Sequence, residues 1–464
     1  MNHVSERAPL KVAGQSLLCG PRALPTPLPT NDRVAIASPA ADKHFSISQR
    51  TYTQQYANVY FVRLQELKPV ATRTAHHTWL SDSPALSTKP LRYAPKVMNI
   101  VAGEPYFVVG TVYCEQKFRP NVLDDLSKEL WVAAPPPRTT YASDHDAVYL
   151  EDESSRVSLV GEILRQTPLV TGIVIGVRGV ENLNGEFEVS EVCFPGLAPQ
   201  PPLPECDRED KYVALISGLG VSTQHSVPLG LELFKEFVVG QLGGDGDQTL
   251  AARVVKVIVA GDLIGSEEIN EQLDKVALTD TGALQQVDTF LEDLASSVTV
   301  DVMPGPNDPA NHAMPQQPLH TSLFPQTAQL STFTSHTNPA WFDIDGVRLL
   351  GTGGQAVDDA CKYTPNTDPL TMAELMLRWQ HIAPSAPDTL WCYPFAQRDP
   401  FIIRQTPHLF FIGNQAQYAS KLVKGAEGQV CRIVCVPRFD TSQTVVLVNL
   451  RTLAVHPVGF RCTL

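Results

Sequence analysis

The sequence predicts a two-domain protein of mixed α+β and α/β class. An OB-type β-barrel is joined to a domain with a two-layer mixed sheet flanked by helices. Three observations carry this. The 464 residues exceed what one ordinary core holds. Residues 105–194 read as a series of short β-type segments. After the Pro-rich stretch LAPQPPLPECDRED, the pattern changes to strands alternating with helices. The expected organisation is a flexible tail at 1–44, a helix plus barrel at 45–196, a linker at 197–210 and the α/β domain at 211–464.

The first 44 residues are rich in Pro, Ala, Ser and Thr, which favours a flexible tail, part of which could lie extended across a folded domain. A helix follows in TYTQQYANVYFVRLQELKP. Tyr52, Tyr56, Val59, Tyr60, Leu64 and Leu67 recur near helical spacing as a packing face, and Pro69 is expected to stop it. Residues 71–96 read as irregular. The barrel strands are PYFVVGTVYCE, two segments around the acidic turn of VYLEDESSRVSLVGEI, and a hairpin turning at Asn184-Gly185. DDLSKEL reads as a short helical insertion. About five strands with one such insertion fit a Greek-key barrel of the OB type.

In the second half, KYVALISGLGV is a strand and LGLELFKEFVVGQL a helix with Leu231, Phe234, Phe237 and Val238 on one side. VVKVIVAGDLIG is the central strand. Its β-branched residues Val254, Val255, Val257, Ile258 and Val259 suit a strand covered on both faces. A helix over 280–296, the strand SVTVDVMPGPNDP, a strand and loop in DGVRLLGTGGQ and a helix in TMAELMLRWQHIAP follow. HLFFIGNQ, QVCRIVCVPRF and TVVLVNLRTL are late strands.

The formal net charge is -13 and no dense Lys/Arg run is visible, which disfavours strong autonomous nucleic-acid binding. The candidate barrel face is acidic, which points to a protein partner or a structural role. Nine scattered cysteines without a framework spacing fit a reducing compartment, and Cys431 and Cys435 read as core strand residues. No signal peptide is visible and no apolar stretch reaches membrane-spanning length, so a soluble intracellular chain is expected.

In α/β sheets, chemistry sits beyond the carboxyl ends of the strands. Here those ends carry the loops 218–220, 261–265, 305–308, 381–384 and 413–416. Their order and spacing resemble the calcineurin-like metallophosphoesterases. That resemblance implies a two-metal clamp held by Asp and His ligands. The loops depart from it. Ser217-Gly218-Leu219 stands where Asp-x-His is required. Asp262 keeps the bridging aspartate, but Gly265 takes the last acidic position. Pro306 and Asn307 replace Asn and His ahead of Asp308. His381 matches the lone His, while Asn414 and Ala416 replace two histidines. Asp262 and His381 are too few ligands, so an inactivated site with no catalytic residue, bound metal or other cofactor is expected at Ser217, Leu219, Asp262, Asn307, Asp308, His381 and Asn414.

A barrel joined to an inactivated domain of this kind resembles the B-subunits of eukaryotic replicative DNA polymerases, most closely their delta branch. QYANVYFVRL, VYLEDE, YVALISGLG, DVMPGPNDP, MPQQPLHTSLFP, LLGTGGQ and APDTLWCYPF carry the resemblance, which covers the chain from about Tyr52 to the last strands. It implies a non-catalytic nuclear scaffold in DNA replication and repair synthesis. Such a protein binds the cysteine-rich C-terminal domain of the catalytic polymerase subunit and a third, extended subunit, linking them indirectly to the sliding clamp and DNA. Two other functions are consistent with the residues: a reduced-site phosphodiesterase or exonuclease, and a single-strand DNA binder acting through the barrel. Asp262 is expected to cap a loop or helix and His381 to make a buried hydrogen bond. Trp391, Tyr393 and Phe395 either pack or present an interface.

Overall fold

A computed structural model describes residues 32–36, 42–81, 90–119, 138, 140–204, 210–222, 228–265, 281–365 and 368–461. The predicted helix in DDLSKEL lies outside them.

The first long element is helix α1 (Ala57–His76). Its buried positions, Val59, Arg63, Leu64, Leu67, Ala71 and Ala75, recur at helical spacing. The helix does not stop at Pro69 but runs through it, then continues as a π-helical turn over His77–Ser81. An interior proline costs about 3 kcal/mol. Burying Ala71, Ala75 and Trp79 beyond it against the barrel outweighs that, at up to about 3 kcal/mol for a large side chain. The described part of 71–96 is therefore largely regular. Tyr52 and Tyr56 precede the helix and are exposed, so the packing stripe is aliphatic rather than aromatic.

The barrel is built from β1 (Arg92–Ala94), β2 (Pro105–Glu115), β3 (Ala147–Glu151), β4 (Arg156–Val160), β5 (Val174–Glu181) and β6 (Glu186–Cys193). The strand order is β1-β2-β3-β4-β6-β5, and β5 returns to pair with β2, closing five strands on themselves. Pairs β4–β6 and β1–β2 are parallel; the others are antiparallel. This is the partly open Greek-key arrangement expected of an OB barrel. Gly185, at φ +78°, makes the hairpin turn foreseen at Asn184-Gly185. A short helix α2 (Glu162–Gln166) lies between β4 and β5.

The rest of the chain forms two sheets. The first has the order β10-β9-β8-β7-β16-β17, from β7 (Tyr212–Ile216), β8 (Val254–Ala260), β9 (Thr299–Met303), β10 (Phe333–Ser335), β16 (Thr444–Asn449) and β17 (Val455–Gly459). Its four strands β7 to β10 are parallel. The second is β11-β12-β13-β15-β14, from β11 (Ala340–Ile344), β12 (Val347–Thr352), β13 (Leu409–Gln415), β14 (Ala419–Lys424) and β15 (Val430–Pro437). Their facing sides share a core of Leu215, Ile258, Phe342, Leu349, Phe411, Val434 and Val446. Helices α3 (Leu229–Val239), α4 (Asp245–Ala252) and α5 (Thr281–Ala295) cover the outside of the first sheet, where Phe234, Phe237, Val287 and Leu291 pack. Helices α6 (Gln355–Lys362) and α7 (Pro369–Trp379) cover the second. Their core is continuous with that of the barrel: Trp379, Met376 and Phe410 belong to the same cluster as Phe187 and Val108. Cys431 and Cys435 are buried on β15, in the core role expected of them. Every residue of β8 is buried, including Lys256, whose ammonium lies 2.6 Å from the Asp301 carboxylate on β9.

The segment expected to be a tail contributes to this core. Arg33 donates to Val238 O at 2.6 Å, to Ala251 O at 3.0 Å and to Val254 O, and Val34 and Ile36 pack between the sheets. Residues 198–200 of the expected linker are pinned to the second sheet. Gln200 exchanges hydrogen bonds with Val430 and donates to Pro407 O.

Candidate functional site

The carboxyl ends of β7, β8, β9, β13 and β15 converge, and six of the seven expected site residues meet there. Gly218 N donates to Gly261 O and Leu219 N to Asp262 O, joining the first two loops. Asn414 N donates to Ser217 Oγ at 2.9 Å, and that hydroxyl donates to Val436 O or Pro437 O. Asp262 and Asn414 both adopt the left-handed region, at φ +58° and +56°. Non-glycine residues held there are uncommon and mark over-determined sites.

The Asp262 side chain is buried and fully engaged. Its Oδ1 accepts from Asn307 N at 3.0 Å; its Oδ2 accepts from Asn307 Nδ2 at 2.8 Å and from Arg438 Nη1 at 3.0 Å. Burial raises its carboxyl above the usual range, while Asn307 and Arg438 oppose that shift. Arg438 turns its other face to Asp440, with Nη2 at 2.7 Å from Oδ2. It stands just after β15 and was not foreseen. Its only sequence signal was a lone arginine after a valine-rich strand.

Asp308 is a loop organiser. Its carboxylate accepts from the backbone N–H groups of Asp262, Leu263, Ile264 and Gly305 at 2.8 to 3.3 Å. Burial and the Asp262 charge push it up to about 7, against those donors. Leu219 is buried and apolar, and offers no lone pair.

His381, the seventh residue, belongs to a different cluster. Its Nε2 lies 2.8 Å from Asp399 Oδ2, and its Nδ1 accepts from Ala383 N, which places the ring proton on Nε2. Asp399 also accepts from Arg63 Nε at 2.8 Å. Arg63, fully buried on α1, donates further to Gly172 O of the barrel and to Pro384 O and Ala386 O of the second domain. Burial, then the Arg63 charge, pushes His381 down to about 4. Burial alone would raise Asp399; His381 and Arg63 outweigh it and hold the carboxyl well below its usual range.

The three aromatic residues divide. Phe395 is buried, which removes it as a contact surface. The Tyr393 hydroxyl is clasped by Thr51, and its ring meets Tyr52 at 5.6 Å. Trp391 is 71% exposed.

Comparison with known proteins matches a chain of this architecture to the small, B-type subunits of DNA polymerases. A family model for the B-subunit of DNA polymerases alpha and epsilon matches residues 213–421, and one described as the DNA polymerase delta subunit OB-fold domain matches 55–192. The DNA polymerase delta small subunit of Arabidopsis thaliana is 40% identical over 427 residues, 90% of this chain and 94% of that protein. The Saccharomyces cerevisiae DNA polymerase delta small subunit is 32% identical over 448 residues, 88% and 90% of the two chains. An Archaeoglobus fulgidus DNA polymerase II small subunit is 26% identical over 293 residues, 60% of this chain and 57% of that protein. The chain belongs to the DNA polymerase delta small-subunit family.

Proposed function

We propose that this protein is a non-catalytic accessory subunit of a nuclear DNA polymerase delta, serving DNA replication and repair synthesis. It holds the C-terminal cysteine-rich domain of the catalytic subunit and a third subunit on one rigid frame. The observation that carries this reading is similarity along nearly the whole length of both chains to proteins named as delta small subunits. The strand-end cluster supports the non-catalytic part. A two-metal phosphoesterase needs several Asp and His donors around a bridging carboxylate. Here Leu219 and Ala416 supply none, His381 is turned to Asp399, and Arg438 already engages Asp262. Those residues do not fit the metal pair. The second domain thus acts as an inactivated calcineurin-like phosphoesterase fold, kept for its surfaces. Trp391 and Tyr52, both about 70% exposed, are two of the exposed aromatic side chains offered for a partner contact.

The purified chain is expected to leave a nucleotide phosphodiester such as bis(p-nitrophenyl) phosphate intact with manganese present. Hydrolysis that disappears in D262A would instead make it an enzyme. Only weak binding of a single-stranded oligonucleotide, even at low salt, is likewise expected, because the net charge is -13.

A further inference from the structure

We infer that the strip where residues 43–56 cross the loop 391–398 docks an acidic peptide segment of a partner protein, anchored by an apolar side chain. This rests on the reading that Trp391 and Tyr52 offer a partner contact, and it names the chemistry of that partner.

The strip is held in place by bonds along its length. His44 Nε2 lies 2.8 Å from Pro400 O, and the buried Phe45 ring stacks on Phe401. Arg398 Nη2 donates to Ser46 O at 3.3 Å. Thr51 N donates to the Tyr393 hydroxyl at 2.6 Å, and that hydroxyl donates to Thr51 O at 2.8 Å. The Tyr52 ring meets Tyr393 edge-on at 5.6 Å. Met314 N donates to Trp391 O and Tyr393 N to Met314 O, both at 2.8 Å. On that extended stretch Cys392 is buried, so Trp391 and Tyr393 on either side of it share the outer face.

Charge sets this face apart. The chain holds 49 acidic residues, yet segments 43–65, 309–342 and 389–398 contain none. Arg50 and Arg398 are exposed, and neither makes an ion pair among the described residues; Arg398 lies over the Phe395 ring. Lys43, at the upstream end, is exposed and likewise without an ion pair. Carboxylates that flank the strip in sequence are engaged elsewhere: Glu66 with Arg404, Asp388 with Arg119, and Asp399 with Arg63 and His381. Unpaired cations beside an exposed Trp391 and Tyr52 are complementary to carboxylates that flank an apolar anchor. Three cations neutralise too few phosphates to hold a nucleic-acid strand against a net charge of -13. The Tyr52 and Tyr393 rings also stand edge-to-face, which is not a platform of parallel rings for bases. The chain's own first 31 residues do not complement the strip either: Glu6 is their single acid, against Arg7, Lys11 and Arg22.

The test uses the full chain and fluorescein-labelled probes read by anisotropy. One probe is a twelve-residue peptide of Glu and Asp interrupted by Phe and Leu. The second has Lys at every acidic position, and the third is a twelve-nucleotide oligothymidylate. Wild type is expected to bind the acidic peptide at least tenfold more tightly than either other probe. R50E/R398E should weaken that binding at least tenfold and W391A at least fivefold. R165E/K424E reverses two cations exposed on α2 and β14, away from the strip, and should leave it unchanged. Urea midpoints equal to wild type establish that each variant is folded. No preference for the acidic peptide, tighter binding of the oligonucleotide, an equal loss in R165E/K424E, or binding indifferent to R50E/R398E and W391A overturns the inference. Assembly with the catalytic subunit is scored separately on the wild-type chain, so failure there leaves the peptide result interpretable.

Discussion

At the scale of single residues, His381 shows how a motif position changes role when its partners change. Its imidazole is neutral in the folded chain, with its acid constant pushed down to about 4 from an ordinary 6.5. Between those values the unfolded chain binds a proton that the folded chain does not. The His381 contribution to folding stability therefore falls as pH drops from 6.5 toward 4, by at most about 1.4 kcal/mol per pH unit. Below that, Asp399 continues the loss, because its folded value lies under its unfolded one near 3.8. H381Q keeps an amide N–H for Asp399 and removes the first window. Urea unfolding of both proteins at pH 7.5, 6.0 and 5.0 should show the stability of wild type relative to H381Q falling as the pH is lowered; a difference between the two that stays constant with pH would contradict the assignment. Some of this was legible in sequence. His381 was expected to make a buried hydrogen bond, and it does. That its partner is Asp399 was not legible, since the two stand 18 positions apart across a loop and no periodicity links them. Arg438 was invisible for the same reason. A guanidinium reaching from the end of β15 to Asp262 is a product of the fold, not of local pattern.

At the scale of elements, the strands of the second half were readable because β-branched runs bounded by Gly and Pro leave few alternatives. Two segments went against their local signals. Pro69 marks a helix end by its own chemistry, yet α1 passes through it because both flanking turns are buried. The N-terminal segment reads as a tail by composition, yet Arg33 donates to carbonyls at the C-terminal ends of α3 and α4. A cation there satisfies carbonyls that have no helical partner and complements the helix dipole. R33A should lower stability by about 1–2 kcal/mol in urea titration and speed amide exchange at Val34 and around Val254. An unchanged midpoint would show that residues 32–36 merely rest on the surface.

At the scale of the whole molecule, the barrel and the second domain share one apolar cluster, and Arg63 ties helix, barrel and sheet loops together. Composition could separate the two halves at the Pro-rich stretch, but it could not show that they are packed as one body. Calorimetry of the wild type should give a single endotherm. R63A strands a buried carboxylate and three carbonyls, costing about 3–5 kcal/mol, and should split or broaden the transition. A frame this continuous suits a protein whose work is to hold other chains in fixed relation. The most direct measurement is co-expression of the full chain with the catalytic subunit of polymerase delta, followed by size-exclusion chromatography with light scattering. One-to-one co-elution of both chains through moderate salt is expected; full-length, folded chain eluting alone at micromolar concentration would contradict the central claim.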